Sequence, residues 1–390
     1  MANEFALGEV LAAAEDAAPM DSVDVVARNL QKRFGAVSVS FLFLDFVGQE
    51  LVRLTAADDA ETGGTHPVRI PVRGSVYQLV LHEQRLHRQR DDEGRQRVIA
   101  PVTNRGDCIG VLEMTLPHTD GEVLRHVTEA AHALAYIIVT DRRFTDAYQW
   151  GQRTQPLTLA AEIQHQLLPS ASCCEAPQFT VACALVPADD IGGDTYDYSL
   201  DRDTLHLSLT DAMGHDVNSA LLATLLLGAL RGARRAGCDV GDQARQAHQA
   251  MLSHGRGTLA TGQLLCVDLV QERVELVNAG HPWPLRLRDG VVEEIPLAIN
   301  LPFGVPSPVP YRVQKFDLRP GDRIVLLTDG MQDREAAAVD LPALLRGTRD
   351  LHPRQTVQAL TEAVKDACHG RPRDDATVMC LDWHGRAGTG

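Results

Sequence analysis

The sequence predicts an α+β protein built in two domains, and three observations predict it. Its 390 residues exceed what one ordinary core holds. The first third runs in the order helix, strands, helix, hairpin, helix, a pattern of a small domain on an antiparallel sheet. From Phe179 onward the texture changes to strands separated by acidic, glycine-rich turns. The expected division is one domain over 1–138, a helical linker over 139–168, and a second domain over 169–390.

The first clear helix spans Ser22 to Phe34, where Val23, Val26, Ala27, Leu30 and Phe34 share one face. Asp21 or Ser22 can cap its start, and Gly35 suits its end. Strands follow at Val37 to Asp45, Glu50 to Leu54 and His66 to Val72, with Gly48 in the first turn. A helix from Ser75 to about His82 precedes a hairpin, RVIAPVT and CIGVLEMTL, joined by Asn104-Arg105-Gly106-Asp107. A helical stretch then extends from Gly121 to about Gln152. Leu124, Val127, Ala131, Leu134 and Ile138 have heptad spacing there, interrupted at Asp141 to Arg143. That stripe reads equally as a parallel dimer seam or as a helix packed on its own domain. Pro156 breaks the helix, and an amphipathic helix covers Leu157 to Leu168.

Bulk properties exclude several classes. A formal net charge of -15 argues against non-specific nucleic-acid binding, which needs a basic surface. No apolar run approaches the ~20 residues that span a bilayer. The N-terminus carries acids rather than a basic region, so a cytoplasmic location without a signal peptide is expected. The eight cysteines form no C-x-x-C pair, which favours reduced, buried thiols over a zinc ribbon or a disulfide framework.

Residues 5 to 138 resemble a GAF domain, chiefly through Val98 to Met114 with its strand, polar turn and Ile109-Gly110-Val111-Leu112. The resemblance implies a sheet with flanking helices that either binds a small-molecule ligand or serves structure and dimerisation. It shows no cyclic-nucleotide signature, and Cys108 lies inside a hairpin strand rather than in a chromophore-attachment context.

The second half gathers acids at the ends of apolar strands. They occur in Ile191-Gly192-Gly193-Asp194-Thr195-Tyr196-Asp197, at Asp211 after the alternating strand Leu205 to Leu209, in Thr328-Asp329-Gly330, and in Asp374-Asp375-Ala376-Thr377. One Asp-Gly alone reads as a turn. Four acid-bearing strand ends in one segment read as a site for hard cations, because carboxylate oxygens are what magnesium and manganese prefer. Crowded carboxylates repel one another unless cations neutralise them.

The ordered motifs Ala161-Glu162-Ile163-Gln164, Leu167-Leu168-Pro169, Val186-Pro187-Ala188, Gly192-Gly193-Asp194, Asp211-Ala212-Met213-Gly214-His215, Asn278-Ala279-Gly280-His281-Pro282, Leu301-Pro302-Phe303-Gly304-Val305, Pro320-Gly321-Asp322, Thr328-Asp329-Gly330 and Asp374-Asp375-Ala376-Thr377 are similar to the RsbU and stage II sporulation E branch of the PPM protein phosphatases. The likeness covers about 157 to 384. It implies an α-β-β-α sandwich with two Mn2+ or Mg2+ ions at one end, a third ion being left open. By the same likeness Asp194, Asp211, the Ala212 carbonyl, Asp329 and Asp374 would hold the ions. Gly193, His215, Gly330 and Asp375 would be their supporting neighbours. Such ions activate water and stabilise phosphoryl charge.

The family commonly has Gly-His-Gly where this chain has Gly214-His215-Asp216, and often an aromatic residue where it has Thr195. Met331-Gln332-Asp333 replaces a run that usually carries threonine and glutamate. These departures touch substrate fit and activity level, not the proposed ligands. His215 is read as positioning its loop ahead of donating a proton, and His281 as stabilising a turn. Arg231, Arg234 and Arg235 are read as a solvated helix end.

The expected function is therefore a metal-dependent serine/threonine phosphatase acting on a phosphorylated STAS-type anti-anti-sigma factor. The GAF domain and the linker helices would control it, with a homodimer formed through both. Nucleic acid and membrane are not expected partners. The alternatives are a non-catalytic or weakly active GAF-controlled module that binds its partner, and a GAF-centred receptor whose phosphatase half is only an output.

Overall fold

A computed structural model describes residues 7–53, 68–90, 93–153, 157–188, 193–214, 217–332, 334–370 and 372–386. Its contacts divide the chain into two units, 1–156 and 157–390. The boundary between the units falls within the stretch 139–168. The first part of that stretch belongs to the first unit and its last part to the second.

In the first unit, α1 (Leu7–Glu15) and α2 (Ser22–Phe34) precede the sheet. Gly35 ends α2 in the left-handed region at φ 59°, its N–H returning to the Gln31 carbonyl, and Val26 and Leu30 are buried as the helical spacing requires. The sheet takes the order β3-β2-β1-β6-β5-β4, all antiparallel neighbours. Its strands are β1 (Ser38–Leu44), β2 (Glu50–Arg53), β3 (Val68–Pro71), β4 (His87–Arg90), β5 (Gln96–Asn104) and β6 (Asp107–Leu116), with α3 (Val76–Glu83) between β3 and β4. The β5–β6 hairpin turns on Arg105 and Gly106, both at positive φ (47° and 81°), the geometry that continues strand twist through a two-residue turn. The helix α1 and the edge strand β4 go beyond the sequence expectation.

The long helix expected from Gly121 divides where the heptads break, into α4 (Gly121–Asp141) and α5 (Ala147–Gln152). Asp120 caps α4 by accepting from the Val123 N–H at 2.8 Å. Leu124, Val127, Ala131, Leu134 and Ile138 all pack into the first unit's own core with Phe41, Phe43 and Met114. The heptad stripe is therefore spent inside this unit and is not a free dimer seam. Tyr148 of α5 is buried against Phe43 and donates to the Pro19 carbonyl at 2.6 Å.

The second unit is a two-sheet sandwich between helices. One sheet runs β15-β12-β11-β10-β9 and the other β14-β13-β16-β17-β8-β7. The first contains β9 (Asp194–Leu200), β10 (Thr204–Ala212), β11 (Ala260–Asp268), β12 (Arg273–Ala279) and β15 (Gln314–Asp317). The second contains β7 (Cys173–Ala176), β8 (Phe179–Val186), β13 (Leu285–Arg288), β14 (Val291–Glu294), β16 (Arg323–Leu327) and β17 (Ala376–Trp383). Between the sheets lie Leu205, Leu207 and Leu209 of β10, Ile324 and Leu326 of β16, and Met379, Leu381 and Trp383 of β17.

Outside the first sheet, α7 (Val217–Arg235) and α8 (Val240–His254) share a core with Ala212, Leu264, Val277 and Phe303. Outside the second, α9 (Leu341–Gly347) and α10 (Pro353–Ala367) cover Val325, Val378 and Cys380. The helix α6 (Leu159–Leu167) is capped by Thr158, whose hydroxyl accepts from the Ala161 N–H. It packs on α7 and β9.

Arg231 and Arg234 of α7 are not a solvated helix end. Both reach the buried Asp197 of β9, Arg231 through Nε at 3.2 Å and Nη2 at 2.8 Å, Arg234 through Nη1 at 2.8 Å. Arg231 Nη2 also donates to the Leu167 carbonyl at the end of α6, 2.7 Å away. The sequence could not pair these groups because Asp197 lies more than thirty residues upstream of either arginine. Arg235 is exposed, as expected.

Truncating one member of a buried ion cluster leaves uncompensated charge and costs about 3–5 kcal/mol. Asp197→Ala should therefore lower the stability of the second unit by about 3 kcal/mol, read from its urea unfolding transition in the full chain. Arg235→Ala should leave that transition where it is.

Candidate active site

The acids singled out in the sequence meet at one end of the sandwich. Strand β10 alternates apolar side chains into the inter-sheet space, and Asp211 continues that row at its end. Asp194 begins β9 directly opposite Asp211 in the register, so two carboxylates face the same way on neighbouring strands. The other sheet supplies Asp329, which opens the short 3-10 turn Asp329–Met331 after β16, and Asp374 and Asp375, just before β17.

Electrostatics show how close these groups come. Burial pushes the Asp211 carboxyl up to about 7, and the charges of Asp329, Asp374 and Asp375 add to the shift. Asp194 is driven well above the usual carboxylate range by burial and then by Asp211 and Asp375, against the hydroxyls of Thr377 and Thr328. Asp375 is raised to about 6 by burial, opposed by the Ala188 N–H and the Gln164 amide. Five carboxyls thus share one corner, and burial and mutual repulsion disfavour the charged forms of Asp194, Asp211 and Asp375.

Two glycines let the strands approach. A Cβ on Gly193 would stand 1.8 Å from the Ala212 carbonyl oxygen, and one on Gly330 2.0 Å from the Asp375 carbonyl oxygen. Gly193 thereby brings β9 and β10 together at Asp194 and Asp211, and Gly330 brings the Asp329 turn onto the Asp374–Asp375 segment. Asp375 lies 2% exposed and makes fixed contacts, Oδ1 accepting from the Ala188 N–H at 3.0 Å and Oδ2 from Gln164 Nε2 at 2.6 Å. Asp374 is exposed, and its Oδ1 accepts from the Asp375 N–H at 2.9 Å.

His215, with Gly192, lies outside the described residues. The turn at His281 is held by Asn278, whose side chain accepts from the His281 N–H and donates to the His281 carbonyl, each at 2.8 Å. The imidazole itself is buried beside Thr261, and burial pushes it down to about 4, so it is neutral at physiological pH.

The donor set fits a hard divalent cation: carboxylate oxygens on rigid strand ends, whose repulsion a cation would relieve. Among the described residues no three His, Cys, Asp or Glu side chains are already gathered to hold one ion. A cation here would take carboxylates together with backbone oxygen and water, as magnesium commonly does. Three groups at this end went without a role in the sequence reading: Gln164, Thr328 and Thr377. The signal that could have found Gln164 is a long amide at a buried position of an otherwise apolar helix face.

Two antiparallel sheets between helices, with a carboxylate cluster at one end, are the arrangement that the resemblance to PPM-type phosphatases implies. Residues 201–384 match the family model described as Stage II sporulation protein E (SpoIIE). The phosphoserine phosphatase RsbP of Bacillus subtilis (strain 168) is 25% identical over 208 residues, 50% of this chain and 50% of that protein. The chain thus spans about half the length of this curated relative. Among solved structures, the RsbU and RsbW domains of a Mycobacterium tuberculosis protein align at 23% identity over 54% of this chain and 63% of that one, with a TM-score of 0.48. The SiaA-PP2C domain of Pseudomonas aeruginosa aligns at 24% identity over 52% and 85%, with a TM-score of 0.46.

The raised carboxyls set a pH dependence. From pH about 4 to about 7 the unfolded chain has released protons that Asp211 and Asp375 still hold in the folded state. The folded state binds more protons there, so its stability falls as pH rises. In chelator, the unfolding midpoint of the second unit should drop across this window less steeply in Asp211→Asn than in the parent. Millimolar Mn2+ should flatten the parent's drop.

Proposed function

We propose that this protein is a metal-dependent phosphatase of phosphoserine or phosphothreonine in proteins. The observation that carries the reading is the convergence of Asp194, Asp211, Asp329 and Asp374 at one end of a sandwich that matches the SpoIIE model, where burial and then the charges of Asp329, Asp374 and Asp375 push the Asp211 carboxyl up to about 7. These four carboxylates, with the Ala212 carbonyl, would hold Mn2+ or Mg2+. The bound ions would supply an activated water and offset charge on the phosphoryl oxygens.

The chain's own groups prepare that chemistry. Asp194 and Asp211 stand on paired strands and keep a fixed spacing. Asp375 holds the last turn in place through Ala188 and Gln164. A thiol nucleophile is disfavoured, because burial pushes the thiols of Cys183 and Cys380 well above their ordinary value and keeps them protonated. Hydrolysis by water, without a covalent enzyme intermediate, suits such a site.

The substrate in this reading is a phosphorylated STAS-type anti-anti-sigma protein, whose dephosphorylation would let it sequester an anti-sigma factor. The family likeness supports this, and RsbP bears the name phosphoserine phosphatase. Residues 1–138 would act as a GAF-like sensor, with or without a small ligand. Control would run through α6, because Gln164 on that helix touches both the Asp194 carbonyl at 2.8 Å and Asp375. A homodimer would need a surface other than the α4 heptad stripe, such as one including Tyr136 and Phe144, which are 46% and 72% exposed. No helix among the described residues is long and apolar enough to cross a membrane.

Hydrolysis of p-nitrophenyl phosphate with Mn2+, with Mg2+ and with chelator tests the proposal. Turnover should require metal and fall at least about 100-fold in Asp329→Asn, since the lost carboxylate acts only through the ions and the charge they offset. A parent protein inactive with either metal would favour the non-catalytic reading.

A further inference from the structure

Asp194 belongs to one sheet, yet its side chain is held from the other. Thr328, immediately after β16, donates its hydroxyl to Asp194 Oδ2 at 2.8 Å. Thr377, in β17, donates to the same oxygen at 2.5 Å. Both threonines are fully buried, and Asp194 is 2% exposed.

The direction of these bonds follows from the proton count. A threonine hydroxyl has one proton to give. Thr328 Oγ1 already accepts from the Thr377 N–H at 2.9 Å, and its other acceptor, the Thr377 carbonyl, lies at 3.5 Å. Its proton therefore goes to Asp194. The Thr328 N–H bonds to the Thr377 carbonyl at 3.0 Å, which fixes the two residues to one another. Two hydroxyl protons converge on Oδ2 and use both of its lone-pair sites, while Oδ1 accepts no hydrogen bond from any described residue.

We propose that Thr328 and Thr377 are positioning residues that occupy Oδ2 of Asp194 and so reserve Oδ1 for a divalent cation. Because the threonines and the aspartate come from opposite sheets, this contact ties ion binding to closure of the sandwich at its acidic end. A carboxylate pinned at one oxygen loses less freedom when the other binds an ion, and removing such outer partners typically weakens metal affinity by about 10–100-fold. The inference rests on the metal-dependent reading of the same site and assigns within it the groups that fix one ligand.

The test is Mn2+ affinity of the full chain by titration calorimetry, with unfolding in chelator measured in parallel. Thr328→Val and Thr377→Val keep a branched side chain but lose the donor, and each should raise the Kd for Mn2+ about 10-fold or more. Thr328→Ser and Thr377→Ser keep the donor and should bind Mn2+ within about 3-fold of the parent. A purely structural role would lower the unfolding midpoint in chelator without that split in affinity. If a valine variant does not fold, Thr377→Ala, which places no methyl against the carboxylate, should show the same loss. Valine variants that bind Mn2+ like the parent, or serine variants that lose as much as valine, overturn the inference and leave the phosphatase reading standing. A parent that takes up no Mn2+ removes both.

Discussion

The constraint on which the second unit depends is the crowding of five carboxyl groups at one corner, from the buried Asp194 and Asp375 to the exposed Asp329 and Asp374. Asp194 and Asp375 are each 2% exposed, and Asp211 continues an otherwise apolar row. Like charges in such a place repel strongly, and an isolated buried carboxylate is costly. The surrounding structure offsets this with directed donors: two hydroxyls on Asp194, and an amide and a backbone N–H on Asp375. These bonds favour the charged forms, yet burial and then the neighbouring charges still push Asp194, Asp211 and Asp375 upward. A positive charge at this corner would relieve that repulsion.

Strand β9 transmits this constraint outward. Asp194 and Asp197 are three residues apart, so the strand's alternation sends one inward and the other to the outer face. Inward, Asp194 meets the hydroxyls of the opposite sheet. Outward, Asp197 receives Arg231 and Arg234 from α7, and Arg231 holds the end of α6. A short edge strand is thereby fastened on both faces, and α6 is attached to it twice, through Leu167 and through Gln164. Any displacement of α6 must therefore break a hydrogen bond to the backbone of Asp194 or to the carboxylate of Asp375. That gives the helix a physical means of acting on the acids without contributing one itself.

Much of this architecture was legible in the sequence because it rests on local periodicity. The alternation Leu205, Leu207, Leu209 delivers Asp211 to the sheet interior, and α2 runs from Ser22 to Phe34 with its glycine stop, as spacing and turn chemistry require. The acidic motifs were legible as a set, since each lies at one end of a strand. What could not be read was which side chains meet across long chain separations. The partners of Asp194 lie 134 and 183 residues away, and Gln164 reaches Asp375 across 211. The arginines of α7 failed as a prediction for the same reason: a helix end rich in charge looks solvated until a buried acid from another element is placed beneath it. The heptads of α4 were ambiguous by nature, because a helix on a sheet and a helix in a coiled coil bury the same stripe.

The first unit resolves that ambiguity. One face of its sheet is filled by α4 and the helices packed with it. Beneath α3 on the other face, Tyr77, Val80 and Leu81 close over Leu42, Leu51, Ile99 and Val111. At the edge of that second layer, Tyr77 donates to Glu113 at 2.5 Å, and Arg97 donates to Glu113 at 3.1 Å and to the tyrosine oxygen at 2.7 Å. The charge of Arg97 is thus matched by an acid already in place. Among the described residues, a ligand entering beneath α3 would have to displace this packing and break this network rather than fill a prepared cavity. Ligand binding on this face would therefore have to be coupled to movement of α3.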